Sequence, residues 1–177
     1  MPAYHSKFND VAGFESACGC ALLPLKTAVR GPAPAMDAAE GEDVLDEVIK
    51  YYRANSLFKN FDVAGEADRT FIYLTLFLHL CLKECERAPD REAGAKALKV
   101  VSVRRPAAPG EAGFPLGQHL TLPGAPAEAD AWKAYMKQAR DELSQRALGL
   151  LYHEDGSKNK WWQLFSKFSF MGKVMKQ

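Results

Sequence analysis

Apolar side chains fall into blocks of different rhythm along the chain, and each rhythm predicts an element. Val44, Leu45, Val48, Ile49 and Tyr52 recur at helical spacing behind acidic Glu40, Glu42 and Asp43, whose charge suits a helix start. The spacing predicts a helix over 43–55. Gly65, Glu66 and Asp68 open a second helix over about 66–87, which Pro89 ends. Inside it, FIYLTLFLHLCL at 71–82 carries no formal charge, and only Thr75 and His79 interrupt the large apolar side chains. A membrane-spanning helix needs roughly 20 apolar residues, so this run is too short to cross a bilayer. A helix apolar on every side must be enclosed by protein, and we expect this one to be the hub of the fold.

The other blocks are less regular. Residues 1–36 hold Pro2, Pro24, Pro32 and Pro34 with little periodicity, which suggests an extended arm anchored through Leu22, Leu23 and Leu25. DREAGAKALKVVSVRR at 90–105 reads as a short helix followed by a short extended piece, because Val101 and Val103 alternate with Ser102 and Arg104. From Pro106 to Pro126, five prolines and four glycines exclude regular helix. Phe114, Pro115, Leu116, Leu120 and Leu122 in that loop argue that it is ordered against something. A long amphipathic helix over 127–151, starting near Pro126, carries Trp132, Tyr135, Met136, Ala139, Leu143, Ala147 and Leu150. HEDGSKN at 153–159 is a turn, and 157–177 is a helical or irregular basic-aromatic end. The expected fold is all-α: a single domain over 1–177, its central apolar helix surrounded by others, with an extended arm (1–36) and a Pro/Gly-rich loop (106–126).

Composition narrows the classes of function. With 177 residues the chain suits one core. Its 23 basic and 22 acidic side chains leave a net charge of +1, so overall charge gives no argument for nucleic acid or acidic lipid. MPAYHSKFND lacks the basic cluster and apolar core of a secretory signal, which predicts a cytosolic chain with reduced thiols at Cys18, Cys20, Cys81 and Cys85.

Candidate chemistry is sparse. Four cysteines invite zinc, but Cys18-x-Cys20 misses the usual spacing and Cys81 and Cys85 sit in the most apolar helix, so small buried thiols are expected. His5, His79, His119 and His153 are scattered, no nucleophile motif or phosphate loop is present, and no catalytic residue, metal or cofactor is implied. The carboxylates of Glu40, Glu42, Asp43, Asp46 and Glu47 follow no calcium-loop pattern and read as ordinary dressing of a helix start. The chain end is richer. Residues 157–177 carry Lys158, Lys160, Lys167, Lys173 and Lys176, no acidic residue, and Trp161, Trp162, Phe165, Phe168 and Phe170. That pattern suits a protein-binding edge, a basic surface for anionic lipid or RNA, or aromatics packed on the core with lysines outward.

MPAYHS at 1–6, ALLPLKT at 21–27, GPAP at 31–34, YYRAN at 51–55, FKNF at 58–61, EADRT at 66–70, PGEAGFPL at 109–116 and KWW at 160–162 occur in order along the chain. Together they resemble subunit 3 of the actin-related protein 2/3 complex. Residues 7–20 and 84–103 depart from the pattern, and CGC at 18–20 is peculiar to this sequence. The resemblance implies a helical, non-catalytic structural subunit without cofactors. It would be one of seven in an assembly that nucleates branched actin filaments, beside actin-related protein 3 and near the actin filament at the branch junction, in the cytoplasm, with no nucleic acid and no membrane insertion. Partner contacts are then expected at Arg69, at Phe114 and Pro115, and at Lys158, Lys160, Trp161, Trp162 and Lys167. A stand-alone module binding anionic lipid or RNA through 157–177 is the alternative.

Overall fold

The computed structural model describes residues 3–176; Met1, Pro2 and Gln177, which belong to the predicted arm and the predicted basic end, lie outside the described residues. Five α-helices dominate: α1 (Val44–Asn55), α2 (Glu66–Arg87), α3 (Arg91–Val103), α4 (Pro126–Leu151) and α5 (Lys160–Gln163). The fold is mostly helical, but not strictly all-α. Two short antiparallel strands, β1 (Ser16–Ala17) and β2 (Cys20–Ala21), pair within the N-terminal region. Their turn is Cys18–Gly19, with φ of 53° and 75°. Left-handed φ at both central residues is what a tight hairpin of the type I′ class needs, so the CGC motif is hairpin chemistry. Gly19 is doubly constrained, since a Cβ there would meet Thr121 Oγ1 at 2.7 Å.

Every residue from Thr70 to Leu82 is buried, and Ile72 and Leu76 are inaccessible to solvent. α2 touches α1, α3, α4, the hairpin and the C-terminal turns, so all its faces meet protein. Each large side chain buried there contributes about 1.5–3 kcal/mol. Its polar side chains find backbone acceptors: Thr75 Oγ1 donates to Phe71 O (2.8 Å) within the helix, Thr70 Oγ1 to Ala21 O (2.6 Å) in the hairpin, and His79 Nε2 to Ser166 O (3.0 Å) near the chain end.

Residues 101–103 are helical, not extended as their alternation predicts. Gly94, Leu98 and Val101 form a buried stripe at helical spacing, while Val100 and Val103 are half exposed. Packing of that stripe on α2 and α4 overrides the β preference of the three valines. α3 begins at Asp90, whose Oδ1 accepts from Ala93 N (2.8 Å), and stops before Pro106, which disfavours helical backbone at Arg105.

Two buried ionic clusters fasten the N-terminal region. Asp68 accepts from Ser6 N (2.9 Å) and Ala64 N (2.9 Å) and contacts His5 Nδ1 (2.7 Å). Glu47 accepts from Ser6 Oγ (2.7 Å) and Lys7 N (2.9 Å). In the second cluster Arg146 donates to Asp43, Asp46, Glu142 and the Lys26 carbonyl. Asp43 also caps α1 through Asp46 N (2.9 Å). Asp43 and Glu47 are thus buried anchors, where the sequence suggests plain helix dressing. Leu23 and Leu25 are buried beside them and Leu22 is half-buried. In the 106–126 region Leu116 and Leu120 are buried, whereas Leu122 is exposed, its side chain lying against Gly110.

Candidate interaction surface

The C-terminal segment divides its aromatics by spacing. Trp162, Ser166 and Phe170 recur every four residues and turn inward. Trp162 stacks on Tyr52 (centroids 6.1 Å apart), Phe170 meets Phe61 edge-on (5.6 Å), and the Ser166 carbonyl takes the His79 bond. Backbone bonds finish the attachment, from Asn159 N to Leu151 O (2.8 Å) and from Met171 N to Phe58 O (3.0 Å). Trp161, Leu164 and Phe168 occupy the opposite side and are 62%, 49% and 39% exposed. Half-buried Phe165 joins them through ring contacts to Trp161 (6.3 Å) and Phe168 (5.7 Å).

Cations frame this apolar face. Lys160 and Lys167 are exposed, and the Arg53 guanidinium lies 5.3 Å from the ring centres of both Trp161 and Trp162. A guanidinium near an indole face is attracted by the ring quadrupole, worth about 0.5–1 kcal/mol at an exposed site, which favours the observed placement of both tryptophans. Lys158 reaches back instead, donating to Glu86 O (2.9 Å). The arrangement is an exposed aromatic face with a basic rim, a combination that suits recognition by a partner protein.

The remaining expected contact residues lie elsewhere. Arg69 donates from Nε to His119 O (3.1 Å) and from Nη1 to Gly19 O (3.0 Å), so its side chain ties the hairpin turn to the 106–126 region. Phe114 is half-buried edge-on against Trp132 (6.0 Å). Pro115 lines a cavity of about 230 Å³ that also involves Arg140, Met175 and Lys176. Trp161, Trp162 and Lys160 are brought together, whereas Arg69 and Phe114 belong to the packing around the hairpin and α4. Arg53 and Arg140 escaped the sequence reading. Arg140 could have been noticed as a charge on the apolar stripe between Met136 and Leu143, and Arg53 as a cation in the last turn of α1.

Groups with reactive potential are muted. Burial raises Cys18 and Cys85 to about 11 and Cys20 to about 12, and holds Cys81 well above the usual thiol range. Cys20 Sγ accepts from Trp132 Nε1 (3.4 Å). Burial also lowers the pKa of His79, against the opposing pull of the Ser166 carbonyl. Among the described residues no group of His, Cys, Asp and Glu is arranged to hold a metal ion, and no helix is long and apolar enough to cross a membrane.

Comparison with known proteins brings one family forward. The family described as P21-Arc, the ARP2/3 complex ARPC3 (21 kDa) subunit, matches residues 1–175. "Actin-related protein 2/3 complex subunit 3" of Dictyostelium discoideum is 44% identical over 175 residues, covering 97% of this chain and 99% of that protein. The proteins of the same name from Arabidopsis thaliana and Schizosaccharomyces pombe are each 41% identical. Coverage is 97% of this chain and 98% of the relative in the first case, and 99% and 100% in the second.

Proposed function

The chain belongs to the ARP2/3 complex ARPC3 (21 kDa) subunit family, and on that premise we propose that it is a non-catalytic structural subunit of that complex, supporting nucleation of branched actin filaments. The observation that carries the reading is the family match from residue 1 to residue 175. The stand-alone lipid- or RNA-binding alternative finds no support in these relatives. By the same reasoning the chain works in the cytoplasm with the actin cytoskeleton, next to actin-related protein 3 and other subunits of a seven-subunit assembly, and adds contacts at the branch junction.

A division of labour within the chain follows. One helical domain with α2 at its centre supplies rigidity, with residues 1–36 laid over it as an arm and the 106–126 loop and 157–177 end as its outward features. Among the expected contact residues, Trp161 with Lys160 and Lys167 has the best claim to a partner, because Trp161 is 62% exposed on an apolar face. Phe114 and Pro115 contribute through the shape of the loop, while Arg69, Lys158 and Trp162 hold the surface in place.

Affinity purification of the tagged full chain from its own cells tests this. Recovery of two actin-related proteins in equal amounts with the chain is expected. Recovery of a monomer alone refutes the assignment. Trp161→Ala combined with Phe168→Ser should reduce that recovery several-fold while the purified chain keeps its melting temperature; undiminished recovery would remove these residues from the interface.

A further inference from the structure

The cavity beside Pro115 has a chemistry that the assembly role does not use. It lies where α2, α3, α4, the 106–126 region and the chain end converge, and its volume is about 230 Å³. Four cationic side chains line it, Arg104, Arg105, Arg140 and Lys176, and among the described residues no acidic one does. Arg140 forms part of the wall from α4 and is 6% exposed. Its Nη2 donates to Val101 O (2.6 Å), its Nη1 to Tyr73 OH (3.4 Å), and the group lies 4.6 Å from the Phe77 ring centre. Both acceptors are neutral, and the buried Nε–H has no partner among the described residues. A guanidinium offers five N–H donors, so most of its donor capacity is unspent.

A buried cation without a counter-charge is costly, and an anion held in the adjoining space relieves that cost. Arg104, Arg105 and Lys176 are exposed at the same cavity, where they raise the positive potential along its opening. The visible compensation is weak: Asp130 lies 3.7 Å from Arg105, with both side chains more than 70% exposed, and Glu111, which also feels Arg105, is engaged by Lys133. From these observations we infer that the cavity is a binding site for a di- or triphosphate group.

Charge and size select that class. A single carboxylate would neutralise one of four cations, whereas a diphosphate or triphosphate carries several charges and presents oxygens in the geometry that guanidinium forks match. At about 30 Å³ per water, the cavity has the room of roughly eight waters, comparable with the nine heavy atoms of pyrophosphate. The apolar parts of Leu80, Val101 and Met175 in the same wall lower the local dielectric around buried Arg140, which strengthens an ionic contact made there. This inference does not rest on the assembly reading.

Calorimetric titration of the full-length chain tests it, with inorganic pyrophosphate, tripolyphosphate, a nucleoside diphosphate and a glutamate-rich peptide as separate probes. Saturable one-to-one binding of pyrophosphate or tripolyphosphate, weakening as salt rises, is expected. If the nucleoside diphosphate binds more tightly, the source is a nucleotide tail; if it binds no better, the source is the free anion. Arg140→Met should abolish binding. Because loss of Arg140 can also impair folding, the exposed pair Arg104→Gln and Lys176→Gln provides the second variant, expected to weaken binding about tenfold with an unchanged melting temperature. Absence of saturable phosphate binding up to millimolar concentration overturns the inference, as does binding unchanged in the double variant. Binding of the glutamate-rich peptide alone overturns it in favour of an acidic protein partner.

Discussion

Replacing Arg146 by methionine should be among the most damaging single changes outside the apolar core. Five donor contacts end at this residue: Nη1 to Asp43 Oδ1 (2.8 Å) and Asp46 Oδ1 (3.0 Å), Nη2 to Asp43 Oδ2 (2.9 Å) and Lys26 O (2.7 Å), and Nε to Glu142 Oε1 (2.9 Å). Asp43 has a fully buried carboxylate, whereas the Arg146 side chain keeps 18% exposure. Breaking a buried pair by removing one partner costs about 3–5 kcal/mol. The lower end applies here, because water reaches Arg146 and the N–H groups of Asp46 and Lys26 still serve Asp43. A loss of about 3 kcal/mol is a large part of the 5–15 kcal/mol typical of a folded domain. With a urea m-value of about 2 kcal/mol/M the unfolding midpoint falls by about 1.5 M.

Arg146→Lys keeps the charge but loses the fork, so it should fall between wild type and Arg146→Met. Asp43→Asn should be partly redundant with Arg146→Met, giving a coupling energy of about 1–3 kcal/mol in a double-mutant cycle. Acid supplies an independent check. Burial pushes the Asp43 carboxyl up, but the Arg146 bonds and the N–H donors outweigh it and hold the group below its ordinary 3.8. A depressed carboxylate contributes stability above the unfolded value and loses it as pH falls through the folded one. The gap between wild type and Arg146→Met should therefore be full at pH 7 and shrink below about pH 4. A midpoint within 0.3 M of wild type, or a gap independent of pH, would refute the reasoning.

Three further outcomes are expected. Trp162→Ala should cost about 3–5 kcal/mol in thermal or urea unfolding, while Trp161→Ala stays within about 0.5 kcal/mol of wild type; equal effects would contradict the division of faces. Native alkylation at pH 8 followed by mass spectrometry should find all four thiols unmodified until denaturant is added, since their raised pKa values leave little thiolate. His79 titrates below its ordinary 6.5 in the folded chain, so the unfolded state takes up the proton first and stability falls as pH drops from 7 through that window. Against His79→Gln, wild type should lose more stability between pH 7 and pH 5, and parallel pH profiles would exclude the effect.

The helices were legible where one physical signal dominated. Glu66–Arg87 announces itself through Gly65, an acidic first turn and a run that only full enclosure can satisfy, and Pro126 marks the start of α4. Residues 101–103 were illegible because consecutive valines suit a strand locally, and their helical state depends on distant neighbours across α2 and α4. The Cys18–Gly19 hairpin was hidden by strands of two residues, too short for any alternation to register. In the interaction surface the crowding of aromatics and lysines was visible, but its sorting needed the inward anchors Tyr52, Phe61 and His79. Arg69 shows the opposite limit: an arginine in a distinctive motif turned out to bind two backbone carbonyls within the chain.

The Arg146 fork also sets a schedule for protein synthesis. Asp43 precedes its guanidinium by 103 residues, an interval of about 5–20 s at translation rates of about 5–20 residues per second. Throughout that interval the Asp43 carboxylate has the N–H groups of Lys26 and Asp46 but not the guanidinium that completes its burial. Arg146 lies in α4, so the ion pair that completes the start of the first helix can close only after the ribosome has delivered most of the chain.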